Sequence, residues 1–384
     1  MIKELLEYFN PSVYLDLWLL SAFLIAFLVA VFTFPTVLHV ARAKQLMDEP
    51  GERSVHSTKT PTLGGIGIYL SLVVVITTIG AFLDTKILLL ILGGMTVLFF
   101  LGLKDDLLIL SPRKKFFGQL LAALLLIFFT DTRISGLSGF FGVEILPYWV
   151  SIIFTLFVYI LIINAYNLID GVDGLAGSLA LFAAVCFTYL FVDGKDVSMA
   201  TISVAMMGGI IPFLRLNFSS RNKIFMGDTG SMIVGFLLAI FAIRFINTTQ
   251  FDADSTFYGA SPIMALSIIF FPLLDTLRIF IIRIFVHKKS PFEADKNHLH
   301  HRFLQLGFSH AQTTGLIVFI NAIIVIVTYF FKDLDIHFQF AVLLLTGTFL
   351  YSTPFIYNWL MSGSKSHSKA STANPRTEVA KQVQ

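Results

Sequence analysis

The sequence carries little charge for its length, and this shortage excludes a water-soluble globular protein. Only 13% of its 384 residues are Asp, Glu, Lys or Arg, whereas 56% are hydrophobic. Soluble domains carry about 25% charged residues, so half of that charge would leave the surface of a soluble fold largely apolar. We therefore predict an integral membrane protein, with lipid as its main solvent.

Cysteine is almost absent, which limits covalent cross-links and metal sites. Cys186 is the only cysteine, so no intrachain disulfide can form, and its position in an apolar run indicates packing. The lack of further cysteines and of an HExxH pattern also argues against a zinc site.

Long apolar segments recur along the chain. A membrane-spanning helix needs about 20 mostly apolar residues, and we predict an all-α, polytopic fold with about eleven such helices. The candidates are 17–38, 62–83, 87–103, 116–130, 146–163, 175–192, 197–214, 229–247, 260–286, 314–331 and 338–358. We expect residues 1–16 to be external, residues 17–360 to form one membrane domain, and residues 361–384 to be a disordered cytoplasmic tail.

Lysine and arginine are distributed unequally among the loops. When the loops are numbered alternately, one set holds 19 of the 27 Lys and Arg residues and the other holds 5. Because cytoplasmic loops carry the excess of positive charge, we predict an external N-terminus and a cytoplasmic C-terminus. The dense polar clusters all fall in the cytoplasmic set, which predicts one site at that membrane face. They are residues 53–56, 104–106, 164–173, 225–230 and 298–302.

Residues 164–174 (NAYNLIDGVDG) concentrate side chains that can bind a metal or a polar ligand. Asn167 offers an amide oxygen, and Asp170 and Asp173 offer carboxylates, which suit a hard cation such as Mg²⁺. The alternative is a tight turn stabilised by Asn or Asp, which needs one such residue rather than four. We therefore favour a ligand site.

Residues 225–231 (FMGDTGS) lie at the start of the eighth predicted span. Asp228 can cap that helix through its backbone N–H groups, or it can hold a Mg²⁺ ion. Phe225 can stack on a nucleobase. The position of this motif on the same predicted face as residues 164–174 favours the ligand role.

Residues 104–106 (KDD) end the third predicted span. Adjacent helical side chains diverge by about 100°, so Asp105 and Asp106 can share a site only where the helix ends or turns. The alternative is a solvated pair of loop charges. Lys115 follows in the same loop, where it can attract phosphate or anionic lipid.

Residues 298–302 (HLHHR) lie in the longest cytoplasmic loop. His298 and His301 would share one face of a helix, and Arg302 can bind an oxyanion bidentately, so we interpret the motif as a diphosphate clamp.

Two further charged pairs have open roles. Arg53 and His56 precede the second span and fit ligand contact and structure equally well. Asp275 and Arg278 lie three residues apart in the ninth span, and we expect them to pair with each other.

Together these motifs resemble the polyprenyl-phosphate N-acetylhexosamine-1-phosphate transferase family, whose bacterial members include WecA/TagO-type and MraY-type enzymes. The similarity spans about residues 30–315. One departure is Ile109, which occupies the last position of the family's frequent DDxxD motif and weakens any role for a third carboxylate there. The stretches that carry the resemblance are residues 53–65, 104–108, 164–176, 225–231 and 298–302.

The resemblance implies an enzyme of the bacterial cytoplasmic membrane with its active site facing the cytoplasm. It would transfer N-acetylglucosamine-1-phosphate, or a related N-acetylhexosamine-1-phosphate, from a UDP-sugar to undecaprenyl phosphate and release UMP. This is the first membrane step of cell-envelope polysaccharide synthesis. Mg²⁺ is the implied cofactor, with Mn²⁺ as a substitute. We expect no nucleic-acid partner, and a homodimer is among the arrangements that the sequence allows.

The same resemblance implies a role for each candidate residue. Asp105 and Asp106 would be catalytic carboxylates, and Asn167 and Asp228 would lie on the Mg²⁺ or pyrophosphate side. Asp173 would contact the uracil, with Phe225 beside the base. The implied substrate-binding residues are Arg53, His56, Lys104, Lys115, Asp170, Asp173, Phe225, His298, His300, His301 and Arg302, of which the last four would clamp the sugar phosphate.

A lipid phosphate monoester has a second pKa of about 6, so it is mostly a dianion at neutral pH and needs little help from a base. We therefore favour direct in-line attack on the β-phosphorus over a covalent aspartyl-phosphate intermediate. Two alternatives concern function. An MraY-type enzyme would use a phospho-MurNAc-pentapeptide donor, but the HLHHR form favours the WecA/TagO type. A transporter for nucleotide sugars or lipid-linked sugars is disfavoured because the sequence shows no internal repeat.

Overall fold

The computed structural model describes residues 10–46, 60–108, 110–286, 288 and 298–371. Its regular elements are helices, which confirms the predicted all-α class. In chain order they are α1 (Leu15–Ala43), α2 (Gly64–Thr78), α3 (Thr85–Leu108), α4 (Pro112–Thr130), α5 (Tyr148–Ile169), α6 (Leu175–Asp193), α7 (Val197–Asn217), α8 (Gly227–Thr249), α9 (Ser261–Ile268), α10 (Phe270–Ile281), α11 (Leu299–Gln305), α12 (His310–Phe330) and α13 (Ile336–Ser371). Short turns of 3₁₀-helix (Ile79–Phe82 and Phe140–Gly142) and of π-helix (Ile282–Val286) complete the set.

The described helices account for nine or ten of the roughly eleven predicted spans. Nine described helices are long and apolar enough to cross a membrane, and the bent pair α9 and α10 would make ten. The segment predicted at 116–130 is helical as α4, but its apolar part is only about 22 Å long at 1.5 Å per residue. The hydrocarbon layer is about 30 Å thick, so α4 is not a full-length span by itself.

The segment predicted as one span at 260–286 is broken. Helices α9 and α10 meet at Ile269, and the two parts are bent by 81°. The side-chain amide of the buried Asn321 accepts from Phe271 N at 3.2 Å and donates to Ile268 O at 3.0 Å. These bonds satisfy backbone groups that the break would otherwise leave unpaired in an apolar interior.

Helix α8 forms the centre of the bundle. Its most apolar 18-residue stretch is 94% buried, and α2, α3, α5, α6 and α9 pack around it. Glycine permits the closest contacts: a Cβ on Gly65 would lie 2.2 Å from the backbone N of Gly230, and one on Gly102 would lie 2.4 Å from Cα of Thr229. Small residues allow such approach in membrane bundles. The N-terminus of α8 is therefore enclosed by α2 and α3.

Helix α13 continues to Ser371 and so enters the range predicted as a disordered tail. Extending an existing helix costs far less than nucleating a new one, and the apolar part of α13 supplies that nucleus. The remainder of the predicted tail, residues 372–384, and most of the predicted external N-terminus, residues 1–9, lie outside the described residues.

Candidate active site

Asp106 holds the N-terminus of α8 in place. Its Oδ1 accepts from the backbone N of Asp228 at 2.8 Å, and its Oδ2 accepts from the backbone N and Oγ1 of Thr229 at 3.1 and 2.6 Å. The first N–H groups of a helix lack internal partners, and Asp106 supplies them from α3. The sequence allowed Asp228 to cap its own helix, but in the structure the carboxylate of Asp106 takes that role. With both oxygens engaged, Asp106 fits a positioning role better than the predicted catalytic one.

Asp228 is left with its carboxylate facing other side chains. Its Oδ1 accepts from Nδ2 of Asn167 at 2.6 Å, and its Oδ2 contacts the ammonium of Lys115. The same Asn167 nitrogen lies 3.0 Å from Oγ of Ser231. Because the amide donates through its nitrogen, its oxygen remains available as a hard ligand for a cation.

Lys115 bridges two of the predicted site carboxylates. Its Nζ lies 2.5 Å from Oδ2 of Asp105 and also contacts Asp228. The other oxygen of Asp105 accepts from the backbone N of Leu110 at 2.5 Å. Burial by itself would lower the pKa of Lys115, but the two carboxylates outweigh it and raise that pKa. Lys115 is therefore a fixed positive charge between Asp105 and Asp228.

Asp170 joins this group through Gly227. Its Oδ2 accepts from the backbone N of Gly227 at 3.1 Å. Gly227 has φ of +71°, and a Cβ there would lie 2.1 Å from the carbonyl oxygen of Thr62, so only glycine fits. Burial, and then the neighbouring charge of Asp228, raise the pKa of Asp170 well above its ordinary value.

Four carboxylates thus meet at the N-terminus of α8, and Lys115 contacts two of them, those of Asp105 and Asp228. The four belong to Asp105, Asp106, Asp170 and Asp228. Neighbouring negative charges in a partly buried site repel one another, and a nearby positive charge relieves that repulsion. Aspartate and asparagine oxygens are also the ligands that Mg²⁺ prefers, so this centre suits a divalent cation.

Asp173 forms a second cluster beside the first. Its Oδ2 lies 2.5 Å from Nζ of Lys223 and 3.1 Å from Nδ1 of His310. Burial would raise the pKa of Asp173, but the bonds to His310 and Lys223 outweigh it and lower that pKa. Nζ of Lys223 also lies 5.5 Å from the ring centre of Phe225. The two residues predicted to recognise uracil are therefore neighbours, linked by Lys223.

The histidine segment lies against the turn that carries Asp170 and Asp173. A Cβ placed on Gly171 would lie 3.6 Å from Nε2 of His300 and 3.7 Å from Cε1 of His301. The ring centres of His298 and His300 are 5.2 Å apart, and those of His300 and His301 are 4.4 Å apart. The structure thus brings together motifs that are more than 120 residues apart in the chain.

Some predicted residues are outside this contact network. Lys104 and Arg302 have exposed side chains. Arg53 and His56 lie outside the described residues, so their roles stay predictions. The expected pairing of Asp275 with Arg278 gives way to a different arrangement: the carboxylate of Asp275 accepts hydrogen bonds from residues 298–300.

The structure also adds residues that sequence reasoning missed. Lys223 stands two residues before Phe225, and this basic residue beside a motif was the available signal. His310 is 137 residues away from Asp173 and had no local signal. Ser231 lies at the last position of the FMGDTGS motif, and its hydroxyl shares Asn167 with Asp228.

The fold and the site define a multi-pass membrane protein with an acidic centre at the ends of its helices. Comparison with known proteins then gives the family. A profile described as glycosyl transferase family 4 matches residues 88–246. Relatives that are 32–36% identical over more than two thirds of the chain show that it belongs to this family, which confirms the resemblance drawn from its motifs.

Three bacterial relatives show how much of the chain aligns. The chain is 29% identical to a probable undecaprenyl-phosphate N-acetylglucosaminyl 1-phosphate transferase of Bacillus subtilis, over 86% of this chain and 89% of the relative. It is 36% identical to decaprenyl-phosphate N-acetylglucosaminephosphotransferase of Mycobacterium tuberculosis, over 70% and 71% of the two chains. It is 32% identical to undecaprenyl-phosphate alpha-N-acetylglucosaminyl 1-phosphate transferase of Escherichia coli, over 77% and 81%.

Proposed function

We propose that this protein transfers N-acetylglucosamine-1-phosphate from UDP-N-acetylglucosamine to undecaprenyl phosphate and releases UMP. The observation that carries this proposal is the group of four carboxylates at the N-terminus of α8, two of which contact Lys115. Relatives aligned over most of their length are named for the same kind of transfer. A site that joins two anionic substrates needs a centre of this kind, where charge can be neutralised and held in place.

The donor set at this centre fits a magnesium ion. Asp228 and the amide oxygen of Asn167 would hold it, with Asp105 close by through Lys115. When bound, Mg²⁺ would reduce the repulsion between the lipid phosphate and the diphosphate of the nucleotide sugar. Mn²⁺ prefers similar oxygen ligands and would substitute for it.

The remaining steps follow from the protein's own side chains. Asp105 is fixed by Leu110 N and Lys115, so it orients the incoming lipid phosphate rather than removing a proton that is mostly absent. The ammonium of Lys115 offsets negative charge as the β-phosphorus is attacked in line and UMP leaves. Asp173 and Phe225 receive the uracil, with Lys223 holding Asp173 in position.

We also propose that the site faces the cytoplasm, with the N-terminus outside and the C-terminus inside. The excess of Lys and Arg in one set of loops supports this orientation. Because the two termini then lie on opposite sides, the chain must cross the membrane an odd number of times. Eleven crossings result if α4 and the bent pair α9 and α10 each cross the membrane in addition to the nine long helices. Cysteines placed at 135–140 should react with an impermeant reagent from outside, and cysteines at 292–300 only after permeabilisation. The reverse labelling would contradict the orientation.

An exchange assay tests the reaction itself. Purified protein is incubated with UDP-N-acetylglucosamine, undecaprenyl phosphate, Mg²⁺ and radiolabelled UMP, and label should appear in the nucleotide sugar only when the lipid is present. Exchange with UDP-MurNAc-pentapeptide but not with UDP-N-acetylglucosamine would identify the MraY type of donor. Uptake of a nucleotide sugar into vesicles without UMP formation would favour a transporter.

A further inference from the structure

Asp275 is an ionisable residue in an otherwise apolar helix. It lies on α10, after the break at Ile269, and its side chain is fully buried. A buried carboxylate is costly unless hydrogen bonds or cations compensate for the lost water. The partners of Asp275 therefore indicate what this residue does.

The described contacts of Asp275 are made by three consecutive residues. Its Oδ1 accepts from the backbone N of Leu299 at 2.6 Å. Its Oδ2 lies 3.2 Å from Nδ1 of His298 and 2.8 Å from Nδ1 of His300. Both histidines are buried, and their rings are stacked with an angle of 22° between their planes. One carboxylate thus holds the start of α11 and two imidazole rings at once.

This geometry fixes which nitrogen of each ring carries hydrogen. An ionised carboxylate only accepts, so each Nδ1 must donate to it. The other nitrogen, Nε2, then points away from Asp275. In His300 that atom lies 3.6 Å from where a Cβ on Gly171 would be, beside the turn that carries Asp170 and Asp173. Carboxylates that bind one nitrogen of a histidine commonly set the orientation and tautomer of the other.

We propose that Asp275 is a positioning residue, which orients His298 and His300 so that their Nε2 atoms face the sugar-phosphate side of the nucleotide sugar. This inference depends on the proposed role of the histidine segment as an anion clamp. No metal is needed to explain the cluster, because one oxygen already satisfies both Nδ1 atoms at hydrogen-bond distance. Asp275 itself touches no substrate in this arrangement and acts through the rings.

The variant Asp275→Asn tests the proposal. When its amide oxygen keeps the bond from Leu299 N, its amide nitrogen replaces Oδ2, can only donate, and so disfavours the Nδ1–H tautomer of both rings. We expect kcat/KM for UDP-N-acetylglucosamine to fall about 10- to 100-fold, as for other residues that orient histidines. UMP lacks the sugar phosphate, so its affinity should change less than about 3-fold. The matched control is Thr276→Val on the same helix. It removes a buried hydroxyl that has no hydrogen-bond partner among the described residues. It should leave kcat/KM within about twofold.

A double-mutant cycle with His300→Gln separates positioning from general loss of structure. If Asp275 acts through the histidines, the Asp275→Asn, His300→Gln double variant should lose little more activity than the worse single variant. Additive losses, with UMP affinity reduced as much as UDP-N-acetylglucosamine affinity, would indicate a merely structural role and overturn the proposal.

Nitrogen NMR of ¹⁵N-histidine-labelled protein reads the tautomer directly. The signal that disappears in His300→Gln identifies that ring, and in the unchanged protein it should show hydrogen on Nδ1. In Asp275→Asn, at least one of the two rings should move its hydrogen to Nε2. An unchanged tautomer pattern together with unchanged kcat/KM would refute the proposal. It would also be refuted if the unchanged protein bound one equivalent of zinc and Asp275→Asn did not. If the unchanged protein forms no UMP with any donor, the proposed function fails, and the NMR result still decides the positioning role.

Discussion

The two ends of α8 (Gly227–Thr249) are both polar, but they differ in the balance of positive and negative side chains. Near the C-terminal end, Nε of Arg244 donates to Asp196 at 2.8 Å, so one cation meets one carboxylate. Neutral side chains complete that end, with Gln250 donating to Ser135 at 2.7 Å. At the N-terminal end, four carboxylates meet, and Lys115 contacts those of Asp105 and Asp228.

The difference separates structural charge from functional charge. A partly buried ion pair is a complete unit, because each member neutralises the other. A group of carboxylates with too few cations destabilises the folded protein when no ligand is bound. Such groups are typical of binding sites, where a bound cation relieves the repulsion. This contrast supports the proposal that the N-terminal end of α8 is the reactive end, and the C-terminal end offers a matched comparison within the same helix.

The sharpest test of this contrast compares Asp228→Asn with Asp196→Asn. Asp228→Asn should lower turnover by about 10³-fold, because the proposed cation loses its anionic ligand while the side chain keeps its shape. Asp196→Asn should keep turnover within about twofold. Turnover is measured as UMP release at saturating Mg²⁺, with the folded fraction checked by size-exclusion chromatography. Equal losses in both variants would remove the distinction between the two ends.

The next effect concerns Asp105 and the route of transfer. Asp105→Asn should lose about 10²-fold in rate, and the loss should change little with pH, because the residue orients a phosphate that is already a dianion. Recovery of the rate above pH 8 would instead identify Asp105 as a general base. The pH–rate profiles of both proteins are compared, and UMP is measured without lipid acceptor. Stoichiometric UMP release under that condition would establish a covalent intermediate.

Asp173 should contribute stability that depends on pH. Its pKa is lowered in the folded protein, so its stabilisation is present above the unfolded value of about 3.9 and is lost as pH falls through the folded value. Asp173→Asn should therefore be less stable at pH 7 by about 1 kcal/mol, with the difference vanishing at acidic pH. Thermal unfolding in detergent between pH 3 and pH 8 measures this. A difference that persists unchanged at pH 3 would show that the ion pairs are not the cause.

Asp170 should show the opposite sign, with a smaller effect. Its pKa is raised, so ionisation costs stability as pH rises from about 4 through the folded value. Asp170→Asn, measured without divalent cations, should match the unchanged protein at low pH and become more stable, by up to about 1 kcal/mol, as pH rises. Asn keeps an oxygen to accept from Gly227 N. A destabilised Asn variant at pH 8 would mean that repulsion among the carboxylates is not significant.

The membrane class, the helical segments and the polar motifs could all be predicted from the amino-acid sequence alone. Hydropathy and loop charge are local, additive properties, so they can be read without knowing the fold. They also indicated Asp105, Asn167, Asp170, Asp173 and Asp228 as one group, and the structure joins all five within two adjoining clusters.

The individual contacts of these residues, in contrast, depend on how the helices pack. Asp106 and Asp105 are adjacent in sequence, yet one holds the N-terminus of α8 and the other pairs with Lys115. Asp275 contacts residues 23 to 25 positions away instead of an expected neighbour on its own helix. The break at Ile269 is equally invisible in hydropathy. Each of these outcomes depends on which helix packs beside which, and hydrogen-bond partners follow from that packing rather than from local composition.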